Sequence, residues 1–63
     1  MSFKSARTAK GLTLKQAADE IGVTAQAISL WENGKTMPSA VLLPKIAKVY
    51  ETTVDDLLSV EEL

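Results

Sequence analysis

The sequence predicts an all-α fold, five short helices packed as a single small domain over residues 1–63. Three observations predict it. Apolar residues recur at helical spacing along most of the chain. Serine, threonine and glycine stand where short helices would start and stop. No segment alternates apolar and polar residues for long enough to make a convincing strand.

The first helix is expected to open at Ser2, a good N-cap, and to run through "FKSARTAK" to Gly11, a natural stop. Phe3, Ala6 and Ala9 or Lys10 give it one narrow apolar face. A second helix opens at Thr13, where "TLKQ" matches a capping box: the threonine hydroxyl accepts an amide and Gln16 reaches back. Ala17, Ala18 and Ile21 form its inner stripe, and Gly22 ends it in a left-handed turn. Thr24 caps the third helix, which ends near Asn33-Gly34. At about 100° per residue, Thr24, Ile28 and Trp31 share one side of it, and Gln26, Ser29 and Leu30 point roughly the other way. A fourth helix is expected from about Ser39, carrying Leu42, Leu43, Ile46, Ala47, Val49 and Tyr50, with Pro44 making the first turn irregular. "TVDD" opens the fifth, with Thr53 as cap and Asp56 at the third helical position, and Val54, Leu57 and Leu58 turned inward. Residues 59–63 are expected to be a frayed tail. Ile21, Val23, Ile28, Trp31, Ile46 and Leu57 are expected to be nearly inaccessible, and Gln26, Ser29 and Leu30 largely exposed.

Composition narrows the function classes. The chain has 63 residues, 46% hydrophobic and 24% charged, which suits a packed globule. A chain this short buries only about 60% of its unfolded surface, so its stability margin is thin. It has no cysteine and no histidine, hence no disulfide, no thiolate or imidazole metal site and no histidine general base. Asp55, Asp56, Glu61 and Glu62 read as helix-start and solubility charges, and nothing supplies an acidic pair with a cleft or a metal, so neither enzyme, cofactor nor small-molecule substrate is expected. No apolar run approaches the roughly 20 residues of a membrane span, which points to a cytoplasmic protein. The net charge of −1 hides a polarised chain. Residues 1–48 carry all seven basic side chains and three acidic ones, net +4, whereas residues 49–63 carry five acidic and no basic ones, net −5. One end suits phosphates and the other faces away from them.

Two helices joined by a short turn containing glycine suggest a helix-turn-helix unit. Ala18 permits close approach, Gly22 sits in the turn, and Ile21, Val23, Ile28 and Trp31 fill inner positions. Here the chain resembles the Cro/repressor (Xre-type) family of helix-turn-helix regulators over residues 3–58. "KGLTLKQAADEIGVTAQAISLWENGKTMPS" is the specific part, and "IAKVYETTVDDLL" matches the family's closing helices. The resemblance implies a five-helix lambda-repressor-like domain, with helices 2 and 3 as the helix-turn-helix and the third helix entering the major groove. It implies a sequence-specific transcriptional regulator, of the phage or prophage repressor type, bound as a homodimer to a pseudo-palindromic operator in double-stranded DNA. By the same resemblance Gln26, Ser29, Leu30 and Ala25 face base edges, with Gln26 suited to a bidentate pair with adenine. Thr13, Lys15, Thr24, Asn33 and Lys35 match sugar-phosphate contacts, and Arg7 and Glu32 match a pair bridging the first and third helices.

Three residues depart from the family pattern. Leu14 stands where a glutamine is usual, and Ala25 and Leu30 stand where polar or basic residues are common. These three offer no hydrogen bond to DNA, though they suit thymine methyl groups. They suit equally a second reading, a protein-interaction module, antitoxin-like or regulatory, that uses an apolar Leu14/Leu30 face. Trp31 reads as a core aromatic, and Lys4, Lys10, Lys45 and Lys48 as solvated surface.

Overall fold

Four of the five α-helices in the computed structural model, which describes residues 2–58, begin at a hydroxyl. In α1 (Phe3–Ala9) the Ser5 amide donates to Ser2 Oγ at 3.2 Å, and the Ser2 amide donates to Ser5 Oγ at 2.9 Å. In α2 (Leu14–Ile21) the Gln16 amide donates to Thr13 Oγ1 at 3.0 Å while the Thr13 amide donates to Gln16 Oε1 at 2.9 Å. Ala27 donates to Thr24 Oγ1 in α3 (Ala25–Glu32), and Asp56 to Thr53 Oγ1 in α5 (Val54–Leu58). Each bond satisfies an amide that the first helical turn leaves without a partner.

The exception is α4 (Leu42–Val49), which has no side-chain cap. It starts three residues later than the expected Ser39. The Ser39 carbonyl accepts from both Leu42 and Leu43, at 3.0 and 3.2 Å, giving a tight irregular turn. Pro44 therefore falls in the first turn of the helix, where a missing N–H costs nothing. That is how a proline sits inside this apolar run.

The ends of α1, α3 and α4 share a device. The amide two residues past the cap reaches back five residues, as Leu12 to Arg7 and Thr52 to Ala47 do, and the residue between takes a left-handed conformation. Gly22, with φ of 91°, fills that place in the turn between α2 and α3. After α4 the place is held by Glu51, with φ of 57°, the only described non-glycine residue with positive φ.

Packing places α2 between α3 and α4, with α1 against α3 and α5 against α4. The core comprises Phe3 and Ala6 from α1, Ala17, Ala18 and Ile21 from α2, Ile28 and Trp31 from α3, Ile46, Ala47 and Tyr50 around α4, and Leu57. Phe3 and Trp31 meet as tilted rings with centroids 6.3 Å apart. Truncating a fully buried isoleucine such as Ile28 or Ile46 to alanine costs about 2–5 kcal/mol. Several expectations need correction. Val23, expected to be nearly inaccessible, is half-buried because it lies at the rim of the turn. The inner stripe of α1 stops at Ala6 and Arg7, leaving Ala9 and Lys10 exposed, since α1 packs chiefly on α3 alone. Leu58 is 43% exposed, because the short α5 can turn only Leu57 fully inward; Val54 is half-buried. Among the described residues no helix is long and apolar enough to cross a membrane. The expected frayed stretch 59–63 lies outside the described residues.

Candidate nucleic-acid interface

The α2–turn–α3 unit offers two capped helix starts and the outward face of α3. Thr13 and Thr24 mark the starts, and both hydroxyl oxygens accept amides of their own helices. The first amides of each helix point past these caps, with the positive end of the helix dipole behind them. Lys15 and Lys35 are exposed and add positive charge to the unit.

Along α3 the phase is as expected: Ile28 is fully buried, Trp31 is 7% exposed and Gln26 is exposed. Ala25, Ser29 and Leu30 are half-buried, so the expectation that Ser29 and Leu30 stand largely exposed is corrected. The Lys35 and Thr36 amides both donate to the Leu30 carbonyl, at 2.9 and 3.4 Å, folding the segment back over the end of α3. Asn33 is also engaged, its Nδ2 donating to the Ser29 carbonyl at 2.9 Å and to Ser29 Oγ at 3.4 Å. Leu14 is half-buried and packs against the core, so part of its apolar surface is already covered.

The orientation of α3 is held by a buried fork. Arg7 Nε donates to Glu32 Oε2 at 2.6 Å and Nη2 donates to Oε1 at 3.2 Å. Arg7 Nη1 donates to the Leu12 carbonyl at 2.8 Å, so one guanidinium ties the end of α1 to the end of α3. The two side chains are 11% and 8% exposed, and the bond to Glu32 outweighs desolvation and raises the Arg7 pKa above its usual value. The Tyr50 hydroxyl is buried without a hydrogen-bond partner. Burial, reinforced by the Glu32 charge and opposed by Arg7, pushes its pKa up to about 12.

Three contributions to this arrangement are not legible in the sequence. The Leu12 carbonyl is a backbone acceptor, which side-chain patterns do not reveal. Tyr50 carries the same helical periodicity as any core residue, so its hydroxyl gave no signal. Lys45, read as solvated surface, reaches from α4 across the helix-turn-helix turn. Its Nζ lies 3.5 Å from where a Cβ on Gly22 would stand. An ammonium at the C-terminal end of α2 interacts favourably with the helix dipole.

With the geometry in hand, the similarities are specific. A family model described as "Helix-turn-helix" matches residues 3–57. An HTH-type transcriptional activator of Enterococcus faecalis, BcrR, is 47% identical over 57 residues, covering 90% of this chain and 28% of that protein. The SPbeta prophage-derived uncharacterized HTH-type transcriptional regulator YonR of Bacillus subtilis (strain 168) is 34% identical over 56 residues, covering 89% of this chain and 52% of that one. An uncharacterized HTH-type transcriptional regulator of Archaeoglobus fulgidus is 37% identical over 51 residues, covering 81% of this chain and 73% of that protein. The chain thus spans about a quarter and about half of the first two relatives.

Proposed function

The chain belongs to the Cro/repressor (Xre-type) helix-turn-helix family, and on that premise we propose that it is a sequence-specific double-stranded-DNA-binding domain of a transcriptional regulator. One observation carries the reading. Gln26 is exposed near the start of a helix whose opposite face, Ile28 and Trp31, is buried. A side chain so presented on a rigid helix suits a base edge in the major groove.

In this reading Gln26 reads adenine, Ser29 donates or accepts at a neighbouring base, and Ala25 and Leu30 pack against thymine methyl groups. Thr13, Lys15, Thr24 and Lys35 grip the sugar-phosphate backbone. Arg7 and Glu32 touch no DNA and hold α3 at its angle. The domain acts by binding and not by chemistry, and it meets its DNA in the cytoplasm. Two copies bind a pseudo-palindrome, since one reading helix offers too few contacts for a unique site. They meet near the α4–α5 end, where Leu58 is exposed and Val54 half-buried. Occupancy of a site overlapping a promoter represses it. The Enterococcus faecalis relative is named an activator, so a reporter assay with the operator at varied positions reads the sign of regulation.

Selection of bound duplexes from a random pool tests the proposal. The expected result is a two-fold-symmetric site whose affinity falls steeply with salt, because phosphate contacts release counterions. A chain that enriches no sequence, and holds DNA equally at low and high salt, contradicts it.

A further inference from the structure

We infer that Asn33 is a positioning residue that holds the Ser29 hydroxyl in place on the reading face, and that it is not itself a backbone grip. The inference rests on the DNA-binding reading above and sharpens it at one base pair. Asn33 closes α3 as its C-cap, and its side chain folds back along the helix. Nδ2 is anchored on the Ser29 carbonyl at 2.9 Å and lies 3.4 Å from Ser29 Oγ. The amide nitrogen that would have met a phosphate is therefore turned onto the reading helix.

The consequence for Ser29 follows from the valence of a hydroxyl. It has one proton to give and two lone pairs to receive with. An amide N–H facing the oxygen occupies one lone pair and disfavours any rotamer that aims the hydroxyl proton back at Asn33. A serine within a helix often gives that proton to the carbonyl four residues earlier. Among the described residues, however, Asn33 is the only side-chain or backbone partner of the Ser29 hydroxyl. The proton and the second lone pair are left to face the groove from a half-exposed position. Major-groove acceptors are guanine N7 and O6, adenine N7 and thymine O4, whereas the cytosine amino group is a donor. The hydroxyl can meet either kind of edge, with its proton or with its remaining lone pair, so what Asn33 sets is the place of the oxygen and with it the base pair that Ser29 meets. Without Asn33 the side chain is free to leave that place, and the preference at that base pair is lost.

The test is duplex selection from a randomised pool with the wild-type chain, Ser29→Ala, Asn33→Ala and the double variant, each checked for helicity and melting by circular dichroism. The expected result is that both single variants relax preference at the same base pair, by about three- to tenfold, the size of one net hydrogen bond. The double variant should relax it no further, and the salt slope should not move. Should Asn33→Ala fail to fold, Asn33→Gln takes its place. It keeps an amide but shifts it by one methylene, and it should relax the same base pair. Uniform weakening on all sequences with a lowered salt slope would make Asn33 a phosphate contact and overturn the inference. So would relaxation at a different base pair from that of Ser29→Ala, or no change at all. A wild-type chain that selects no sequence defeats the DNA-binding reading itself, an outcome distinct from any of these.

Discussion

Tyr50 and Glu51 are neighbours, and each carries a local cost. The Tyr50 hydroxyl is removed from water and given no partner, which typically costs about 1–3 kcal/mol. Tyr50→Phe should therefore melt at the same temperature as the wild type or higher, as a thermal scan will show. A clear fall in melting temperature would mean that the hydroxyl does bond within the fold. The pH dependence follows from the same burial. With its folded pKa raised to about 12 from an ordinary 10, Tyr50 contributes stability that is whole below pH 10 and lost as pH climbs toward 12. The phenylalanine variant should show a shallower loss over that window. Glu51 holds a left-handed conformation that costs a residue with a Cβ about 1–2 kcal/mol. Its compensation, an ion pair with Lys10 at 2.6 Å, is exposed and worth at most about 1 kcal/mol. Glycine adds unfolded-state entropy of roughly 0.5–1 kcal/mol. Glu51→Gly should then come out slightly stabilising, by about 0.5 kcal/mol, in denaturant titration; a loss above about 1 kcal/mol would show that the Lys10 pair carries more than exposed pairs do.

Among the elements, α3 is tied to α1 by the Arg7–Glu32 pair. Removing one partner of a buried, hydrogen-bonded pair typically costs about 3–5 kcal/mol, because the other charge is left desolvated. A chain of 63 residues has roughly 3–9 kcal/mol in total. Glu32→Ala should therefore be largely unfolded or melt far below the wild type. Arg7→Lys should also destabilise, since one ammonium cannot reproduce three forked bonds to Glu32 and the Leu12 carbonyl. A melting temperature unchanged in Glu32→Ala would remove the fork from its place in the account. These elements also show what can be read before folding. Caps at Ser2, Thr13, Thr24 and Thr53 are bonds spanning three residues, so a short window of sequence contains both partners. The Arg7–Glu32 pair was legible only through family resemblance, because its partners lie 25 residues apart. The start of α4 was misplaced because no side chain marks it and a backbone carbonyl does the work. The half-burial of Ser29 and Leu30 was missed because helical phase gives the side on which a residue lies and not how far the rest of the fold covers it. The left-handed Glu51 had no signal, since nothing about glutamate announces positive φ.

For the whole molecule the polarised charge and the two-copy proposal make predictions on DNA. Gln26→Ala should reduce preference for the selected site by about 1–3 kcal/mol and leave the salt slope unchanged, because a neutral base contact releases no counterion. Lys35→Ala should weaken all sequences alike and lower the slope by about one. Gel-shift titrations over a salt series separate the two, and identical behaviour of both variants would strip α3 of its reading role. Sedimentation with operator should give two chains per site, with reading helices about 34 Å apart. A one-to-one complex on an asymmetric site contradicts that stoichiometry. The Arg7 fork has one more consequence, for transplantation. Residues 13–34 contain both helices of the motif and every outward side chain of α3 proposed to face bases, and would look like a portable unit for re-targeting another scaffold. Cut there, Glu32 loses the only guanidinium bonded to it, and Trp31 loses the Phe3 ring beside it. The smallest piece that can be moved with its aim intact starts at α1, so specificity is exchanged in this fold by swapping outer side chains on a whole domain and not by grafting the two helices.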